Sequence, residues 1–170
     1  MALAISLLFD AETDRAVRHI WQVLADSGIC RTMLDMDYAP HLSLVVTDDE
    51  SLEGPLSDAL TAWTEGALSI DLRPARSFPD TSIGWLAGDG GDSLMRLHAL
   101  IAATVPLESI RPHYRPGQWT PHVTLQMTGD VKAGVAMARE LWPPACPPQA
   151  VGIELARFMP VEPLGRVDLA

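Results

Sequence analysis

Positive charge is what this 170-residue chain has little of: 12 Lys and Arg stand against 22 Asp and Glu, a formal net charge of −10. That deficit excludes a broad, non-specific grip on long nucleic acid, which depends on neutralising many phosphates. A small nucleotide or the phosphate at an RNA end stays open as a partner. Cysteine is nearly absent. Cys30 and Cys146 have neither metal-ligand spacing nor the density of a disulfide scaffold, so both are expected as reduced thiols in a cytoplasmic protein. Long apolar runs are missing too. Met1 to Leu8 is apolar but carries no basic residue, and Asp10 cuts it short of a signal peptide or a span, so no membrane association is expected. What remains is ordinary globular material, 48% apolar and 20% charged, enough for a single bilobal domain and expected to act as a monomer.

One pattern occurs twice. Tyr38-Ala-Pro-His41-Leu-Ser43-Leu and Trp119-Thr-Pro-His122-Val-Thr124-Leu share the order aromatic, small, Pro, His, apolar, hydroxyl, apolar. Successive side chains of a strand alternate faces, so His41 and Ser43 share one face with Leu42 and Leu44 behind, and His122 and Thr124 repeat this. Two imidazoles and two hydroxyls suit acid–base work on a phosphate ester, where one group takes a proton, one gives it, and neutral donors meet the phosphoryl oxygens. A metal site on His41 and His122 would need a third ligand, and neither motif has a nearby Cys, Asp or Glu at zinc-like spacing; no cofactor is expected.

Along the chain, Leu3 to Phe9 has strand length, and Asp10 is a helix N-cap ahead of Val17, Ile20, Trp21 and Leu24 at helical spacing. A loop after Gly28 leads to a strand over 40–47. Leu52 to Trp63 predicts a second helix closed by Gly66, and the alternation from Leu68 to Arg73 predicts a strand. A turn over 77–81 and a strand over 82–87 follow. A glycine-rich turn over 88–92 precedes a helix through Leu94, Leu97 and Ile101, and an irregular loop over 106–118 delivers the strand from His122 to Met127. A helix over 131–142, a break over 143–148, and strands over 150–158 and 166–169 complete the chain.

A constant shift of 81 residues superimposes the halves without a gap, taking Ile5 to Leu86, Pro40 to Pro121, His41 to His122, Ser43 to Thr124 and Ile70 to Val151. Two β-α-β-α-β units result, about 2–76 and 82–158, with a terminal strand near 164–169. A pseudo-twofold would set the motif strands facing each other across a central cleft. Tyr38 and Trp119 are candidates to rim that cleft and stack on a base, the alternative being a packing role at strand entry. Arg111, Tyr114 and Arg115, with His113, gather positive charge in the loop before the second motif and are candidate ligand contacts. His19 and His98 lie on or beside apolar helix faces and read as structural; Phe78 and Trp85 read as core or hairpin residues.

The paired His-apolar-Ser/Thr-apolar motifs, each preceded by Pro, together with the lead-in Tyr114-Arg-Pro-Gly-Gln-Trp119, resemble the two-histidine (2H) phosphoesterase superfamily and especially its 2′-5′ RNA ligase-like and cyclic phosphodiesterase branch. The resemblance implies an α+β fold of duplicated units, with two antiparallel sheets facing a central cleft and helices outside. It implies metal-independent hydrolysis of a 2′,3′-cyclic phosphate or 2′-5′ phosphodiester, His41 and His122 serving as acid and base and Ser43 and Thr124 binding phosphate. The alternatives are a binding module without turnover, or 2′-5′ ligation in the same site. One departure stands out: RNA-end members often follow the second motif with a basic residue, whereas here Leu125 is followed by Gln126 and Met127.

Overall fold

Eight antiparallel strands and a few helices make up the described part of the fold. The computed structural model describes residues 1–142, 148–158 and 160–169; Cys146 and most of the expected break over 143–148 lie outside them. The strands are β1 (Ala2–Phe9), β2 (His41–Thr47), β3 (Leu68–Ser69), β4 (Asp71–Ser77), β5 (Gly84–Asp89), β6 (His122–Gln126), β7 (Gln149–Phe158) and β8 (Glu162–Asp168). The α-helices are α1 (Ala11–Asp26), α2 (Thr32–Asp35), α3 (Glu53–Ala59), α4 (Gly91–Ala102) and α5 (Val131–Leu141). The sequence pattern carries the predicted second helix on to Trp63, but α3 ends at Ala59. A short helix, α2, stands inside the expected loop after Gly28. Asp10 does cap α1: its carboxylate accepts from the amides of Glu12 and Thr13 at one oxygen and from Gln149 at the other.

The sheet order is β3-β7-β1-β2-β6-β5-β4, with β8 also paired to β7. The two expected sheets are therefore the halves of one hydrogen-bonded path, joined where Leu42 stands opposite Val123. The motif strands lie side by side at this junction rather than facing each other across a gap. Pro40 and Pro121 open both strands and have no amide hydrogen to extend the ladder, which explains why it stays short.

Strands do not pair only within their own half of the sequence. β7, from the second half, pairs with β1, while β4, from the first, pairs with β5. The run predicted as one strand over 68–73 is divided at Ile70, with β3 on β7 and β4 on β5. The helices cross over in the same way, with α1 packed behind β6 and α4 behind β2. Leu42, Leu44, Val123 and Leu125 point to that helical side and are buried, within a core that also takes in Ile20, Trp21, Leu97 and Ile101.

Candidate active site

The register of the junction assembles the site. With Leu42 opposite Val123 in an antiparallel pair, His41 falls beside Thr124 and Ser43 beside His122 on the face away from the core. All four half-buried side chains line one cleft of about 560 Å³, together with Arg111, Tyr114, Asp48 and a group of apolar residues.

Both imidazoles are held in the same way. His41 Nδ1 lies 2.8 Å from the carbonyl of Ala39, and His122 Nδ1 lies 2.7 Å from that of Thr120, each two residues back along its own chain. A carbonyl oxygen only accepts, so each Nδ1 carries the proton and donates it. In the neutral ring Nε2 is then the basic nitrogen, and neither Nε2 has a partner among the described residues. Burial disfavours the imidazolium and lowers both pKa values from the ordinary histidine range; for His41 the charge of His122 adds to the effect. A proton on one ring thus opposes a proton on the other.

Each ring also rests against two aromatics. Tyr38 and Phe158 lie 4.9 and 6.1 Å from His41, centroid to centroid; Phe78 and Trp85 lie 5.2 and 5.8 Å from His122. The exchanged strands explain the arrangement: β7 ends at Phe158 beside His41, and the chain leaving β4 brings Phe78 to His122. Indole N–H groups fix the motif backbones from behind. Trp119 Nε1 donates to the carbonyl of Ser43 at 3.1 Å, and Trp21 Nε1 to that of Thr124, also at 3.1 Å. The Ser43 hydroxyl lies 3.2 Å from that of Ser6, its cross-strand neighbour on β1.

Not every residue expected at the cleft reaches it. Tyr38 and Trp119 do not rim it: both are buried, Tyr38 donating its hydroxyl to Glu154 and Trp119 stacked on His98 at 3.9 Å. Trp119 supports the motif strands from behind, within the main core, whereas Tyr38 packs on the histidine side of the sheet in a small cluster with Leu8 and Ala156, against His41 and Phe158. Arg115 also turns away, donating to the carbonyls of Ile110 and Glu108. Arg111 and Tyr114 do line the cleft, and Arg111 is engaged by Asp48 through two nitrogens. His98 is buried, with Nε2 2.9 Å from the carbonyl of Tyr114.

Several site residues escaped sequence reasoning. Ser6 sits in an apolar run and Asp48 in a turn; only pairing across 37 and 63 residues gives them a place here. Phe78 and Trp85, read as core or hairpin, flank His122. Gln126, where a basic residue was missed, is buried with its amide donating to the Thr128 carbonyl; Met127 lines the cleft instead. Cys30 is a free, buried thiol close to Thr32 and Thr128. Among the described residues, no three His, Cys, Asp or Glu side chains gather as a metal site, and no helix is long and apolar enough to cross a membrane.

A family model described as the 2′-5′ RNA ligase superfamily matches residues 39–151, a stretch that contains both motifs. Among solved structures, Escherichia coli LigT in its apo form is 17% identical with a TM-score of 0.63, covering 100% of this chain and 99% of its own. TT0787 of Thermus thermophilus is 18% identical with a TM-score of 0.62, covering 99% and 98%. Kluyveromyces marxianus Usb1 is 10% identical with a TM-score of 0.52, covering 99% and 97%. At these identities the likeness is one of fold. No curated protein matches by sequence.

Proposed function

The chain belongs to the 2′-5′ RNA ligase superfamily of 2H phosphoesterases, and from that premise we propose that it is a metal-independent phosphodiesterase hydrolysing a 2′,3′-cyclic phosphate or a 2′-5′ phosphodiester of a nucleotide or RNA end. The observation that carries this reading is the matched tethering of His41 and His122, which commits Nδ1 of each ring to a backbone carbonyl and leaves Nε2 for proton transfer. In cyclic phosphate hydrolysis, water attacks phosphorus in line with the departing ribose oxygen. One Nε2 takes the proton from water as the P–O bond forms; the other, protonated, gives its proton to the leaving oxygen as that bond breaks. The two rings stand on opposite sides of the junction, in keeping with an in-line displacement. Ser43 and Thr124, beside them, are the hydroxyl donors for the phosphoryl oxygens, and the hydrogen bond between the Ser6 and Ser43 hydroxyls orients the first. Escherichia coli LigT, of the same fold, has been crystallised with 3′-AMP and with phosphate, ligands of the kind this reading requires.

Turnover of 2′,3′-cyclic AMP in excess EDTA, with His41→Ala and His122→Ala beside the wild type, tests the proposal. Each substitution should lower kcat by at least about 10²-fold, the lower bound for a positioned acid or base. Binding without turnover in the wild type would point to a nucleotide-binding module, and turnover only on added metal would overturn the acid–base mechanism.

A further inference from the structure

Charge is sparse around the cleft. Among the described residues its one side-chain cation is Arg111, and this residue is already taken: Nε donates to Asp48 Oδ2 at 2.9 Å and Nη2 to Oδ1, a two-point pairing that fits a guanidinium fork to a carboxylate. The backbone holds the arrangement in register, because the Arg111 amide donates to the carbonyl of Val46 at 2.8 Å and Thr47 bridges to Ile110. The other positive group at the cleft, the ammonium of Met1, is paired with Glu50 at 2.7 Å. Away from these pairs the wall is soft and apolar, made by Met33, Met36 and Met127 with Val46 and Phe158.

Acid–base catalysis by two histidines needs one ring charged and one neutral. The working site then offers one uncompensated positive charge, which matches the single negative charge of a phosphodiester. A second phosphate would find Asp48 beside the guanidinium and, elsewhere in the cleft, no further side-chain cation among the described residues, only methionine thioethers and the neutral hydroxyls of Thr32 and Tyr114. Building on the phosphodiesterase reading, we infer that the cleft selects a singly charged nucleoside cyclic phosphodiester with no second phosphate, its base lying on the methionine wall, and that Asp48 sets this selectivity by occupying Arg111.

The experiment compares kcat/KM, in EDTA, for 2′,3′-cyclic AMP and for the same compound bearing a 5′-phosphate, using wild type and Asp48→Asn. Calorimetric affinities for adenosine 2′-monophosphate and adenosine 2′,5′-bisphosphate are measured alongside. The wild type should prefer the compounds without the 5′-phosphate by about tenfold or more, and Asp48→Asn should shrink that preference by about tenfold by freeing a guanidinium for charge-assisted bonds to the second phosphate. Met127→Lys, which adds an unpaired cation without touching the ion pair, should shrink it as well. Equal use of both compounds by the wild type, or a preference that neither variant alters, would overturn the inference while leaving the phosphodiesterase reading intact. Absence of turnover with the binding preference preserved would do the reverse, and absence of both turnover and binding would overturn both.

Discussion

Each histidine of the cleft is held by a carbonyl only two residues away, so the tether is local while the burial that tunes the ring is not. Burial lowers the pKa of His41 and of His122, and for His41 the neighbouring imidazolium lowers it further. The free enzyme should therefore show a bell-shaped kcat/KM profile lying on the acid side of about pH 6.5, the ordinary histidine value. A bound phosphodiester anion favours the imidazolium, so the kcat profile should move towards higher pH. Rates measured across about pH 5 to 9 check both, and a kcat/KM maximum well above neutrality would contradict the lowered values. The histidines and hydroxyls were legible in the chain because their spacing is a strand period, and His98 was legible because it falls on an apolar helix face. Tyr38 and Trp119 were legible as aromatics that either rim the cleft or pack at strand entry, and the sequence left the two open because only tertiary packing decides which way a ring before a strand turns.

At the scale of elements, the contact between α5 and β6 tests whether the second motif strand depends on its backing. A Cβ built on Gly134 would stand 1.6 Å from Oε1 and 2.7 Å from Cδ of Gln126, a buried residue whose amide donates to the Thr128 carbonyl. In an exposed helix, Gly→Ala gains roughly 0.5–1 kcal/mol. Here Gly134→Ala should instead destabilise by about 1–3 kcal/mol, because it overpacks the interface and dislodges a buried amide from its partner. Urea unfolding checks the sign, and a gain in stability would show that Gln126 relocates freely. Most elements were readable from period and caps, as with α1 behind Asp10. The division of one predicted strand into β3 and β4 was not, because the alternation from Leu68 to Arg73 continues through the point where the chain changes partners.

For the molecule as a whole, the buried histidines set the response to acid. His41, His98 and His122 all have folded pKa values below the ordinary one, each chiefly because burial disfavours the charged ring. In the interval between the folded values and about pH 6.5 the unfolded chain binds more protons, so stability is complete above that pH and falls as pH drops through the folded values. The urea midpoint should decline from neutral pH towards about pH 5, and His98→Gln should flatten that decline; a midpoint that rises on acidification would contradict the shifts. The sequence by itself carried the duplicated motifs, through which the family resemblance was visible, and most of the α+β element order, because spacing and alternation are local properties of a chain. Tertiary structure alone decided that β2 and β6 meet at Leu42 and Val123, that β4 and β7 exchange halves and bring Phe78 and Phe158 to the opposite histidines, and that Asp48 occupies Arg111. Those outcomes depend on partners tens of residues apart, whose meeting follows from burying both apolar strand faces under helices at once rather than from any local preference of the residues involved.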